Sequence, residues 1–302
     1  MTFHDKKKLG LILVLISSFG YGTMPAIAQR GFQAGISAET MLAFRYIVSI
    51  ILIWMYVWYK RIPFKLPVRT ILFLLFLGML MVGGSTFVYE SYKYVPGAIV
   101  SLLVNLYVVL VVIIDILIGW EKLKISKFGC VALALTGLII IVWVPEGEVS
   151  FHIWGIVFAI LTAVCYAFYT IGIGAKGTRQ TAPEIVTAYT LIPPGVFNIV
   201  RCMVTDQPLL PVGFEQWMVA TYIGVISTFV AGLSFIIAVK HIGSGNAALI
   251  NTTEPMFAYI TGIVLMGDII SLRSTFGGVL IVIAIVWLNM ISRSPNNIKF
   301  QV

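Results

Sequence analysis

Along the chain, apolar residues run in blocks of about twenty bounded by charge, Gly or Pro, at 9–29, 39–59, 70–90, 95–118, 127–145, 153–174, 183–203, 215–238, 244–266 and 273–292. Each block is long enough to cross the ~30 Å hydrocarbon core of a bilayer as a helix. Because lipid offers no hydrogen bonds, a spanning segment must satisfy its backbone internally, which selects helices. The pattern therefore predicts an all-α integral membrane protein with ten transmembrane helices. Pro193 and Pro194 interrupt the seventh block, and Glu254 and Pro255 the ninth, yet both remain long enough to cross.

Composition removes the soluble alternatives. Of 302 residues, 60% are hydrophobic and 11% charged, and the mean hydropathy is +1.01, far from a water-soluble globule. The spans and their connections leave no room for an ATPase or other soluble domain.

The net charge of +8 reads as a topology signal once its placement is followed. With the N-terminus in the cytoplasm, fifteen of the twenty basic residues fall on inner segments, among them Lys6 to Lys8, Lys60, Arg61, Lys65, Arg69, Lys122, Lys124, Lys127, Lys176, Arg179 and Lys240. Arg30, Lys93, Arg201 and Arg273 fall outside and Arg45 lies within a span. The positive-inside rule then puts both termini in the cytoplasm of a cell with this protein in its inner membrane. Lys6 to Lys8 followed by an apolar run and Ala26-Ile27-Ala28 also imitates a cleavable signal. That run is longer than a usual signal core and holds Pro25, and its removal would leave nine spans, so it is read as the first span.

Several motifs carry no chemistry here. Cys130, Cys165 and Cys202 each lie inside an apolar stretch, and His4, His152 and His241 are isolated, so no metal site or cofactor is expected. Gly172-Ile173-Gly174-Ala175-Lys176-Gly177 matches a dinucleotide fingerprint but ends a membrane helix instead of following a strand. Asn251-Thr252-Thr253 matches a glycosylation sequon but lies in the ninth span. Without a phosphate-binding loop, any energy source is an ion gradient, with the proton as candidate coupling ion, and nucleic acid is no partner.

The chain repeats itself. Residues 127–139 align with 275–287 at an offset of 148, placing Phe128-Gly129 over Phe276-Gly277. Gly83 to Phe87 lie over Ala231 to Phe235 at the same offset. Gly10 and Phe19-Gly20-Tyr21 lie over Gly155 and Val164-Cys165-Tyr166 at an offset of 145. Two halves of five spans result, 1–148 and 149–302. Five being odd, the second half enters the membrane from the opposite side. Inverted repeats are a route to alternating access around a site near the midplane.

The sequence resembles the drug/metabolite transporter superfamily and, within it, the EamA group. The resemblance rests on SSFGYGTMPAIA in the first span, LAFRYIVSI in the second, SYKYVPGAIVSLL into the fourth, WEKLKISKFGCVALALTGLII into the fifth, and AVKHIGSGNAALINTTEPMFAYITGIVLMGD across the eighth and ninth. It implies ten-span carriers that export amino acids or similar metabolites. It also implies that helices one, three, four, six, eight and nine surround the cavity while five and ten pack at the periphery.

The candidate chemistry follows from polar groups at membrane depth. Glu254 stands near the middle of the ninth span, where a charge costs about 2.5–3.5 kcal/mol. A nearby cation, a water-filled cavity or protonation has to compensate it. Pro255 frees carbonyls near Asn251 and Thr252 and kinks the helix beside Thr253. As a purely structural alternative, Glu254 pairs with a neighbouring helix. Arg45, six residues into the second span, either pairs with a carboxylate of protein or substrate or snorkels to the interface. Asn105 lies near the repeat equivalent of Glu254, either facing it or making an ordinary interhelical hydrogen bond. Asp115, ten residues on, either lines the same path or meets Lys122 or Lys124. Tyr21, Tyr89, Tyr166 and Tyr169 belong, with Tyr92, Tyr94 and Tyr107, to an aromatic population suited to amphipathic solutes or to plain packing. The expectation is a carrier for a small-molecule substrate within the lipid bilayer. The alternatives are a passive channel, a non-transporting membrane regulator or, without any supporting pair of catalytic groups, a membrane-embedded enzyme.

Overall fold

The computed structural model describes residues 3–92, 94, 103–119, 125–142, 153–266 and 272–292. Among these the chain is helical without strands. The elements are α1 (Phe3–Gln33), α2 (Ala38–Tyr59), α3 (Val68–Tyr92), α4 (Leu106–Leu117), α5 (Ile125–Val142), α6 (Ile153–Gly174), α7 (Pro183–Val204), α8 (Phe214–Ile242), α9 (Ser244–Asn251), α10 (Glu254–Thr261) and α11 (Leu272–Ser292). A single helical turn, Lys176–Arg179, joins α6 to α7.

Among the described residues six helices, α1, α2, α3, α6, α7 and α8, are long and apolar enough to cross a membrane. Shorter apolar stretches lie at Leu106–Leu117, Ile125–Gly137 and Thr275–Ala284. Large apolar side chains such as Ile125, Leu117 and Val264 point outward, the reverse of a soluble protein and the expected finish for a surface solvated by lipid. The chain is thus a multi-pass membrane protein.

Small residues set the packing, because in lipid helices associate through close backbone contact. A Cβ on Gly137 would lie 2.6 Å from the Gly277 carbonyl, so α5 and α11 meet backbone to backbone. A Cβ on Gly22 would lie 2.5 Å from the Glu254 carbonyl, so α1 presses directly on the start of α10. The core joins Leu74 and Leu77 of α3, Val108 and Val111 of α4, Ala163 and Ala167 of α6 and Leu249 and Ile250 of α9.

Pro193 and Pro194 leave α7 unbroken over Pro183–Val204. Pro194 cannot donate to the Thr190 carbonyl, and that oxygen lies against Gly78 of α3, where a Cβ would stand only 2.6 Å away. A neighbouring helix thereby covers the defect. In α8 a π-helical segment, Ile223–Val230, widens the helix in mid-span. The hydroxyl of Ser49 on α2 lies 2.7 Å from the Gly224 carbonyl and 2.6 Å from its own Arg45 carbonyl, fixing α2 to the start of that segment.

Candidate functional site

The ninth predicted span is two helices. α9 ends at Asn251, Thr252 and Thr253 form a turn, and α10 begins at Glu254. Pro255 accounts for the break, since its missing N–H is the normal donor to the Asn251 carbonyl four residues earlier. The turn tightens instead: Thr252 N donates to Leu249 O at 3.3 Å and Thr253 N to Ile250 O at 3.1 Å. The Thr252 and Thr253 hydroxyls donate to the same two carbonyls, at 2.7 and 2.9 Å. Thr253, a candidate substrate contact, is buried and holds the break.

Across the break lies a polar hub. The Asn251 amide nitrogen donates to a Glu254 carboxylate oxygen at 3.1 Å and to the Tyr107 hydroxyl of α4 at 3.1 Å. Its amide oxygen accepts from the Ser18 hydroxyl of α1 at 3.0 Å. One side chain thus ties α1 and α4 to the break and holds the half-buried acid. The Tyr107 ring meets Tyr166 of α6 edge to face at 6.4 Å, and the Tyr166 ring rests on Gly84 of α3.

Arg45 lies on a second wall. It is 8% exposed, packed within the protein. Its guanidinium stands 4.8 Å from the Tyr46 ring centre, and one nitrogen lies 3.3 Å from the Met24 sulfur. Tyr21 of α1 faces α8, its hydroxyl 3.5 Å from where a Cβ on Gly232 would stand. Tyr169 lies on α6 three residues beyond Tyr166. Glu254 and Tyr166 are thus linked through Asn251 and Tyr107, while Arg45 packs on α2 beside Tyr46 and Met24.

The remaining candidates fall differently. Asn105 is half-buried at the N-terminal cap of α4, and it is Tyr107, two residues on, that joins α4 to the hub. Tyr89 lies in α3 and Pro255 in α10, but their side chains are outside the described residues. Lys122 and Lys124 are outside them too. Asp115 meets the start of α9: its oxygens accept from the Ser244 hydroxyl at 2.6 and 2.7 Å and from Gly245 N at 2.8 Å.

The sequence profile of the EamA-like transporter family matches residues 8–143 and again 153–290. The chain belongs to the EamA-like transporter family. A protein of Archaeoglobus fulgidus described as an uncharacterized transporter is 24% identical to it over 223 residues, 73% of this chain and 77% of that protein. A solved crystal structure superposes with a TM-score of 0.81 at 16% identity, covering 96% of this chain and 98% of the other, which is a likeness of fold.

As an EamA-like protein the chain is a membrane transporter. Sequence reasoning missed the side chains of Asn251 and Ser18 in this EamA-like site, and saw Tyr107 only as one aromatic among many. A signal was present for Asn251, which precedes Glu254 by three residues and so shares its helix face. Ser18 carried none, since a lone hydroxyl in an apolar span is ordinary.

Proposed function

We propose that the protein is a secondary active transporter of the inner membrane that exports a small metabolite such as an amino acid by alternating access. It crosses the bilayer ten times as two inverted five-helix halves, 1–148 and 149–302, with both termini in the cytoplasm. The observation that carries this reading is Glu254, set at a break in mid-span and held by Asn251, which itself bonds to two other helices. A carboxylate at that depth is a functional group by default, and broken helices at the midplane are where carriers place substrate and coupling ions.

In this reading Glu254 takes up and releases the coupling proton or orients an ammonium group. Arg45 fixes a carboxylate, its guanidinium staying charged at any relevant pH. Tyr21 faces the substrate with Asn105 and the other site tyrosines Tyr89, Tyr166 and Tyr169. An α-amino acid presents these two charges a few ångströms apart, which is the chemistry that an acid and a base within one bundle recognise.

Counterflow of a labelled amino-acid and metabolite panel into proteoliposomes tests it. The wild type gives saturable exchange with trans-stimulation, and Glu254→Gln abolishes gradient-driven transport while remaining folded. Unchanged gradient-driven transport by Glu254→Gln would remove the coupling role, and non-saturable flux would favour a channel.

A further inference from the structure

The hub and the Asp115 contact lie at opposite ends of one short helix. α9 is eight residues long, about 12 Å at 1.5 Å per residue. Its last residue is Asn251, which holds Glu254, Tyr107 and Ser18. Its first two residues are Ser244 and Gly245, bound to Asp115 of α4. Both Asp115 and Ser244 are 2% exposed. A carboxylate at a helix start is favoured by the unpaired N–H groups and by the helix dipole.

Both ends of α9 are jointed. Before it stands Gly243, alone between α8 and α9 at φ +84°, a left-handed conformation that side chains resist. After it comes the Thr252–Thr253 turn. A rigid rod between two joints, bound at one end to a carboxylate and at the other to the site, moves as a unit.

We infer that α9 is an inner gate, latched by Asp115, and that the latch reports the state of Glu254 across the membrane interior. The inference rests on the transporter reading above, which places the start of α9 on the cytoplasmic side. With the latch closed, α4 and α9 seal that side, so this conformation faces outward. Losing the charge or orientation of Glu254 perturbs Asn251 and hence the far end of the rod. Asp115 is a positioning residue in this scheme, acting on Glu254 through α9. The 148-residue offset carries Asp115 onto Ile263, an apolar residue, so the repeat does not duplicate this carboxylate. In this scheme the latch favours the conformation closed to the cytoplasm.

The test is sided cysteine labelling in proteoliposomes, needing no knowledge of the substrate. In a background with Cys130, Cys165 and Cys202 replaced by Ser, Ala247→Cys puts a thiol at a fully buried position of α9. A membrane-impermeant maleimide is applied from the cytoplasmic or the opposite face. Ser244→Ala raises labelling from the cytoplasmic face roughly ten-fold, the change in equilibrium expected from one lost hydrogen bond to a charged group, and Asp115→Ala, which also loses the bond from Gly245 N, raises it at least as much. Ser244→Thr, which keeps the hydroxyl, restores the low rate. Glu254→Gln also shifts it, through Asn251. A merely structural role would lower thermal stability without this sidedness and without rescue. Labelling unchanged in Asp115→Ala and Ser244→Ala, with both variants monodisperse, overturns the latch even where counterflow supports the carrier. Labelling that rises while wild-type counterflow fails across the panel keeps the latch and removes the amino-acid and metabolite reading of the substrate.

Discussion

Asn251 and Glu254 share a hydrogen bond of 3.1 Å across the helix break that precedes Pro255. The amide is three residues before the acid, which on an intact helix would merely stack them on one face. Here the turn at Thr252 and Thr253 comes between, and Asn251 also reaches α1 and α4. The acid is held by the element from which it has been disconnected.

That arrangement makes Asn251 costly to lose. Asn251→Ala leaves the Tyr107 hydroxyl, the Ser18 hydroxyl and Glu254 short of a partner, at about 1–3 kcal/mol for each buried group left unsatisfied. Thermal unfolding in detergent micelles shows a clear drop for Asn251→Ala and a smaller one for Ser18→Ala, which removes a single bond. The Asn251→Ala/Tyr107→Phe double-mutant cycle shows a coupling on the order of 0.6 kcal/mol, the average for interhelical hydrogen bonds in membranes.

Gly22 permits α1 to touch α10. Gly22→Ala places a methyl 2.5 Å from the Glu254 carbonyl and 2.7 Å from Phe257 Cβ, and with backbone on one side the strain costs about 1–3 kcal/mol. Gly177, with nothing within 4 Å of its would-be Cβ, is the control. Gly22→Ala should lower both yield and melting temperature, whereas Gly177→Ala leaves them unchanged or slightly raised.

Arg45 is buried against Tyr46 and Met24, so Lys is no conservative replacement: its compact ammonium lacks the planar face that stacks on the ring. Arg45→Lys and Arg45→Met both raise the KM for carboxylate-bearing substrates by roughly ten-fold or more, the size of one hydrogen bond to a charged group. Initial exchange rates against substrate concentration check this, and an equal loss for solutes without a carboxylate would detach Arg45 from carboxylate recognition.

The Arg201–Glu39 ion pair at 3.1 Å joins the ends of α2 and α7, with the two side chains 25% and 21% exposed. Partial exposure keeps its contribution below about 1 kcal/mol. Glu39→Gln shifts the melting temperature little at low salt, and the difference from wild type shrinks as ionic strength rises.

Bilayer physics made the membrane class legible: a fixed hydrocarbon thickness dictates block length, and α2, α3, α6 and α7 begin and end within a residue or two of their apolar blocks. Polar groups at depth were legible for the same reason, which is why Glu254 and Arg45 stood out. Their partners were not. Ser18 and Asn251 are 233 residues apart, and Asp115 and Ser244 are 129 apart, so only the placement of α1 and α4 reveals them. The prolines act in opposite ways. Pro193 and Pro194 leave a helix whole because Gly78 of α3 covers the exposed carbonyl of Thr190, whereas Pro255 follows two threonines whose hydroxyls stabilise the break.

The wide segment Ile223–Val230 in α8 bears on how this chain tolerates changes of length. In a regular helix, deleting one residue swings everything beyond it by about 100° and turns buried faces toward lipid. A π-helical stretch already holds a residue more than its α-helical equivalent, so trimming one there would return it to regular winding. Val219, buried before it, and Phe235, buried after it, would keep facing the same neighbours. The alteration would fall instead on the wall beside Gly224 and Ser49, making α8 a helix whose bore could be retuned without refolding its ends.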